Sequence, residues 1–103
     1  MNNRGRSSLT SKLEDEVSLL QRHVHMLKAI MENQPIGIIR LSELLSYPQH
    51  KVRYSLRILE QEGLIKPSPD GAMTTERLND FLDDLRRTLD STSRTIKELR
   101  ASL

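Results

Sequence analysis

Leu41-Ser42-Glu43-Leu44-Leu45-Ser46-Tyr47-Pro48-Gln49-His50-Lys51-Val52-Arg53-Tyr54-Ser55-Leu56-Arg57-Ile58-Leu59-Glu60-Gln61-Glu62-Gly63-Leu64-Ile65 is the stretch that decides the fold. It opens with a short helix signal, Leu41 to Leu45, and breaks at Ser46-Tyr47-Pro48. Proline cannot continue the first helix but is tolerated in the first turn of the next, where its missing N–H would be unpaired anyway. The second helix runs from Gln49 to Glu62 and stops at Gly63, a residue able to take the left-handed conformation of a helix end. Val52, Leu56 and Leu59, spaced four and three, form a narrow inner seam. Gln49, His50, Arg53, Tyr54 and Arg57 lie on the other face. Cations come first along this helix and Glu60 and Glu62 last, against the preference of the helix dipole. Two helices joined this way form a helix-turn-helix whose second helix presents a polar, basic surface.

The whole chain sets bounds on what surrounds this motif. Its 103 residues suffice for one domain with a modest core. With two Tyr, one Phe and no Trp, that core must be built from Leu, Ile, Val and Met. The sequence is 36% hydrophobic and 29% charged, too apolar for a disordered chain and charged enough for many exposed helix faces. No cysteine is present, so disulfides and thiolate metal sites are excluded. No apolar run approaches membrane-spanning length, and no signal-peptide core follows Arg4 and Arg6. A cytoplasmic protein is expected. Net charge is only +2, but its distribution is uneven. Residues 1–12 carry Arg4, Arg6 and Lys12 with no acid, and residues 47–57 carry Lys51, Arg53 and Arg57 with no acid. The stretch after Thr75 opens with Glu76, Asp80, Asp83 and Asp84.

Residues 1–10 read as a flexible basic tail. Ser11 and Glu14 have capping-box spacing, so a long helix is expected to follow. Leu13, Val17, Leu20, Val24, Leu27 and Met31 repeat at alternating steps of four and three, a heptad seam. Leu19, His23, Met26 and Ile30 form a second stripe beside it, giving a face wide enough to pack in two directions. His23 and His25, two apart, diverge on a helix and propose no metal site. His23 reads as a histidine at the edge of the core. Pro35 ends the helix.

Ile36-Gly37-Ile38-Ile39-Arg40 is short and β-branched, and predicts a brief strand or extended connector. Ser42 is placed to cap the first helix of the motif, with Leu41 anchored in the core and Leu44 and Leu45 as its apolar face. After Gly63, Leu64 to Pro67 reads as a strand, Ser68-Pro69-Asp70-Gly71 as a turn, and Ala72 to Thr74 as a returning strand. This small wing offers Lys66 and Ser68 to a phosphate backbone. Residues 11–74 thus form the domain. A last helix is expected from 75 to 103, capped by Thr74 or Thr75. Leu78, Leu82, Leu85, Leu89, Thr92, Ile96, Leu99 and Leu103 alternate along it by four and three. From 75 to 102 it would be about 42 Å long, more than a small domain covers, and the leucine row needs a partner helix.

The Leu41–Leu45 signal, the Val52, Leu56 and Leu59 seam, and above all Leu59-Glu60-Gln61-Glu62-Gly63-Leu64-Ile65 resemble the winged helix-turn-helix transcription regulators of bacteria and archaea. The likeness covers residues 36–74, and the flanking helices resemble the dimerisation helices of small one-domain, archaeal-type regulators. It implies a mostly α fold with a two- or three-stranded wing sheet and long N- and C-terminal helices forming a dimer. It also implies DNA contacts from Gln49, His50, Lys51, Arg53, Tyr54 and Arg57. Arg53 and Arg57 suit guanine or phosphate, Gln49 suits adenine, and Lys51 and His50 suit the backbone. Tyr54 has three readings: a phosphate bond, stacking on Arg57, or a half-buried surface ring. The expected partners are double-stranded DNA and a second copy through Leu13, Val17, Leu20, Leu82, Leu85, Leu89, Ile96 and Leu99, a coiled-coil contact. No cofactor is implied, and a small-molecule effector is left open. The alternative is a winged-helix protein-interaction module that recruits another protein through its seams. An enzyme is not expected, because no nucleophile–base constellation or phosphate loop exists.

Overall fold

The computed structural model describes residues 7–103. Arg4 and Arg6 of the expected tail lie outside the described residues. The order is α1 (Ser8–Asn33), α2 (Ile38–Leu45), α3 (Gln49–Gln61), β1 (Ile65–Lys66), β2 (Met73–Thr74) and α4 (Leu78–Ser102). The fold is mostly helical, with one small antiparallel sheet.

The first helix starts earlier than its capping-box signal predicts. Ser7, not Ser11, caps it, its hydroxyl accepting the Thr10 N–H at 3.1 Å. Both serines carry the same chemistry, and the earlier one adds another turn of backbone hydrogen bonds. The core stripe of α1 lies at its C-terminal end, through Met26, Leu27, Ala29 and Ile30. Leu20 and Val24 are half-buried, whereas Leu13 and Val17 are exposed.

The expected extended segment at Ile36–Arg40 is mostly helix. Ile36 alone in this segment makes a strand pairing, meeting Ala72 through two backbone hydrogen bonds of 3.2 and 2.8 Å. Gly37 then caps α2 with no side-chain bond, and Ile38 to Arg40 form its first turn. Ser42 therefore sits inside the helix rather than at its start. Its hydroxyl donates to the Tyr47 carbonyl beyond the turn, closing the angle between α2 and α3. The turn itself is Ser46 in the left-handed conformation at φ 59°. An eight-residue helix does not persist alone in water. It is held by Leu41, its buried residue, with Ile38 and Leu45 packed against the core; Leu44 is half exposed, contrary to expectation.

Gly63 ends α3 as expected. At φ 76° it lets its own N–H reach the Glu60 carbonyl and the Leu64 N–H reach the Leu59 carbonyl, both at 3.0 Å. That pair of bonds is a Schellman motif, and it delivers Leu64 and Ile65 into the core. The wing follows: β1 and β2 pair with Ile65 opposite Thr74 and Lys66 opposite Met73. With the Ile36–Ala72 bridge, the sheet has two strands and a single extra rung. Gln34 braces it from the end of α1, its side-chain oxygen accepting from the Thr74 N–H at 2.8 Å and the Thr74 hydroxyl at 3.1 Å.

The last helix begins at Leu78, three residues later than expected. Neither Thr74 nor Thr75 caps it; Arg77 holds the cap position without a side-chain bond. The Thr75 hydroxyl donates to the Gly63 carbonyl, tying the wing's exit to the end of α3, and accepts the Arg77 N–H at 3.3 Å just ahead of the helix. The 25 residues of α4 span about 38 Å. Leu78 is buried and Phe81, Leu82 and Leu85 half-buried, and every residue from 86 to 103 is exposed.

Candidate nucleic-acid interface

The site is the outer face of α3. Val52, Ser55 and Leu59 form its buried row, and Leu56 is only half-buried. Gln49, His50, Lys51, Arg53, Tyr54 and Arg57 are exposed together on the N-terminal two-thirds of the helix. Among the described residues, Lys51, Arg53 and Arg57 form no ion pair; the exposed pairs Arg86–Asp83 and Arg87–Asp84 both lie on α4. A solvated face with uncompensated cations is what a polyanion needs.

What aims this face is a polar lock between α1 and α3. Ser55 is wholly buried. Its hydroxyl accepts from Arg22 Nε at 2.9 Å and lies 2.9 Å from His23 Nδ1. A hydroxyl has one proton to donate and two lone pairs to accept with, so Ser55 holds both side chains at once, its role toward Nδ1 following the ring's tautomer. Tyr54 packs against the same two residues. Its ring stacks on His23 with centroids 6.2 Å apart, and the Arg22 guanidinium carbon lies 5.8 Å from its centre. The tyrosine is 40% exposed. It is an exposed ring held by α1, and of its three readings the stacking on Arg57 gives way to stacking on His23. At the other end of the motif, Tyr47 Oη lies 3.0 Å from His25 Nδ1 and the two rings stack.

Burial, then the neighbouring Arg22 guanidinium, hold the pKa of His23 below its ordinary value. A lowered value means that the folded chain disfavours the ring's proton. The stabilisation is complete above the unfolded pKa of about 6.5 and is lost as pH falls through it toward the folded value. Between about pH 7.5 and pH 5.5, on either side of that unfolded value, the urea midpoint is expected to fall, and to fall less in His23→Gln. Equal falls in both proteins would show that the lock does not depend on a neutral ring.

The wing residues are placed differently from one another. Lys66 is exposed. Ser68 is half-buried, its hydroxyl donating to the Gly71 carbonyl and accepting the Asp70 N–H at 3.3 Å. It closes the turn. The seam residues Leu13, Val17, Leu89, Ile96 and Leu99 are exposed, while Leu20, Leu82 and Leu85 are half-buried at the roots of their helices. Arg22 and Ser55, which join α1 to the back of the candidate face, are residues that the sequence does not single out. Nothing local marks them, because the bond between them joins residues 33 apart.

None of the described helices is long and apolar enough to cross a membrane. No protein-family model and no curated protein matches the sequence. The fold does match a solved structure, the activation domain of the phage T4 transcription factor MotA. The TM-score is 0.55 and the identity 20%, covering 75% of this chain and 81% of that one. Likeness at this identity shows the fold alone: the two share an architecture, which in this chain comprises four helices and one two-stranded antiparallel sheet among the described residues.

Proposed function

We propose that the chain is a homodimeric, sequence-specific DNA-binding regulator of transcription, with α3 as the helix that enters the major groove. The observation that carries this is the exposed set of Lys51, Arg53 and Arg57 on α3, with Gln49 and His50 ahead of them and no acid paired to any of the three cations among the described residues. Recognition helices meet base edges with their N-terminal residues, where this set lies. The Ser55 lock supports the reading, because a reading helix must hold its pitch against the domain. The exposed apolar rows of α1 and α4 support a second copy, which would place two α3 helices about 34 Å apart on successive major grooves.

Titration of a mixed-sequence duplex at several salt concentrations tests this. Binding should weaken steeply and linearly in log–log form as salt rises, as released counterions require. No salt-dependent binding by a dimeric protein would overturn it.

One observation favours a second reading. The matching fold belongs to a domain named for activation, and a winged helix can serve as an assembly part. The apolar rows would then take up a different protein. A purified chain that sediments as a monomer and ignores DNA would favour that reading.

A further inference from the structure

Each long helix leaves the core in one direction. α1 is buried near its C-terminal end, through Met26, Leu27 and Ile30, and its N-terminal half stands clear. α4 is anchored at Leu78 and stands clear from residue 86 onward. Both free halves keep an apolar row: Leu13 and Val17 on α1, and Leu89, Ile96 and Leu99 on α4, each between 40 and 59% exposed. Since both rows stay open, they do not cover one another within the chain. At their roots lies an apolar cleft of about 160 Å³, walled by Leu20, Val24 and Leu27 of α1, Ile58 of α3 and Phe81 of α4. The α1 row leads into this cleft, and α4 borders it through Phe81, beside the first residues of its own row.

The charges beside the rows differ in sign. In a heptad, the positions flanking an apolar seam carry the charges that choose the partner. Taking Val17 and Leu20 as seam residues, the charged residues at the flanking heptad positions of the α1 row are Glu14 and Glu16, both acids. Taking Leu89, Ile96 and Leu99 as seam residues, the charged flanking positions of α4 are Arg86 and Arg100; the rest are Thr and Ser. All four charged residues are exposed. Arg86 meets Asp83 at 3.2 Å within its own helix, but a solvent-exposed pair of this kind is weak and easily exchanged. Packing like rows together would set glutamate against glutamate and arginine against arginine. Packing unlike rows sets acid against arginine along both.

We propose that the occupant of these rows is a second copy of the chain, and that the free half of α4 from one copy lies along the free half of α1 from the other. This rests on the reading of the chain as a homodimer and specifies how that dimer is made. Each copy offers one row of each kind, so a two-fold axis satisfies both contacts at once and closes the assembly at two. Neither helix alone is the dimerisation element. The pairing fixes the angle of each α3 through the Arg22–Ser55 bond, because α1 is then both half of the interface and the support of α3.

Charge reversal in trans tests the pairing. Glu14→Arg/Glu16→Arg and Arg86→Glu/Arg100→Glu are made as two separate full-length proteins, and their helical content is checked by circular dichroism. Sedimentation velocity then measures self-association of each and of an equal mixture. Each variant alone is expected to dimerise at least about tenfold more weakly than the original chain, as like charges along both seams require. The mixture is expected to regain the original strength, because both interfaces of the mixed dimer are again acid against arginine. A dimeric original whose variants associate as strongly as it does overturns the pairing and leaves the homodimer standing; so does a mixture that fails to recover. An original chain that is monomeric at every concentration overturns the homodimer as well. Should a reversed variant lose helical signal, the neutral versions Glu14→Gln/Glu16→Gln and Arg86→Gln/Arg100→Gln carry the same comparison, with weaker association of each as the expected result and no change as the contrary one.

Discussion

Replacing Arg53 and Arg57 together by alanine is expected to lower the affinity of the dimer for duplex DNA by about a thousandfold. A good arginine bond to a base edge contributes about 1 kcal/mol at the low end, and a dimer would give up four of them, about 4 kcal/mol in all. Both side chains are exposed and make no ion pair among the described residues, so folding stability should change by no more than about 0.5 kcal/mol. Fluorescence anisotropy on a labelled duplex reads the affinity, and a urea melt confirms the fold. The salt dependence separates two roles. If the arginines neutralise phosphates, the slope of log affinity against log salt shrinks by about 0.9 for each phosphate left unneutralised. If they read guanine, Arg53→Lys/Arg57→Lys keeps the charge but not the two-pronged geometry, and discrimination between duplexes falls while the slope holds. Affinity unchanged within about threefold, against the thousandfold that four bonds imply, would remove α3 from the interface of a folded protein. The protein-interaction reading would then stand in front.

How the sequence divides into readable and unreadable parts follows from the range of each interaction. Gly63 and the Ser68–Gly71 turn are legible because a backbone that needs a positive φ, or a hydroxyl that closes a turn, declares itself within four residues. The basic face of α3 is legible for the same reason, as residue type and helical spacing alone place it. The buried row of α3 is not. At about 100° per residue, Ser55 and Leu56 fall on either side of a line through Val52 and Leu59, and hydropathy alone chooses the leucine. The structure turns the helix toward Ser55 because α1 brings Arg22 and His23 to its hydroxyl, bonds that span 33 and 32 residues. The start of α2 fails similarly. Ile36 to Ile39 is β-branched enough for a strand, but only Ile36 finds a neighbour to pair with, and that neighbour is Ala72. Local preference gives way to tertiary partners in both places. At Leu44 the local pattern carries no direction: it and Leu41 are equally apolar, and only the position of α1 and α3 decides that Leu41 is the buried one.

Gly71→Ala is expected to destabilise the chain by about 3 kcal/mol or more, a large share of the roughly 5–15 kcal/mol that holds a small domain together. Gly71 has φ 132°, where a side chain is strained at a cost of about 1–3 kcal/mol. Strain is the smaller part. A β-carbon there would lie 2.4 to 2.7 Å from the carbonyl carbon, oxygen and nitrogen of Ile36. These are backbone atoms, so no rotamer change relieves the clash. The chain must move, and the movement available is separation of residue 36 from the wing, which breaks both hydrogen bonds between Ile36 and Ala72 and lifts the buried Ile36 side chain from the core. Gly37 supplies the contrast at the next residue along from Ile36. Its added β-carbon meets nothing within 4 Å and its φ of −99° suits any residue, so Gly37→Ala should stay within about 0.5 kcal/mol of the original. Urea unfolding of the two variants side by side measures the difference. Equal midpoints would mean that the rung between Ile36 and Ala72 contributes nothing to stability and that the wing turn is free of the segment leading into α2. A loss confined to Gly71→Ala would show that the wing is fastened to the start of the helix-turn-helix, so that the angle between wing and α3 is set by the core.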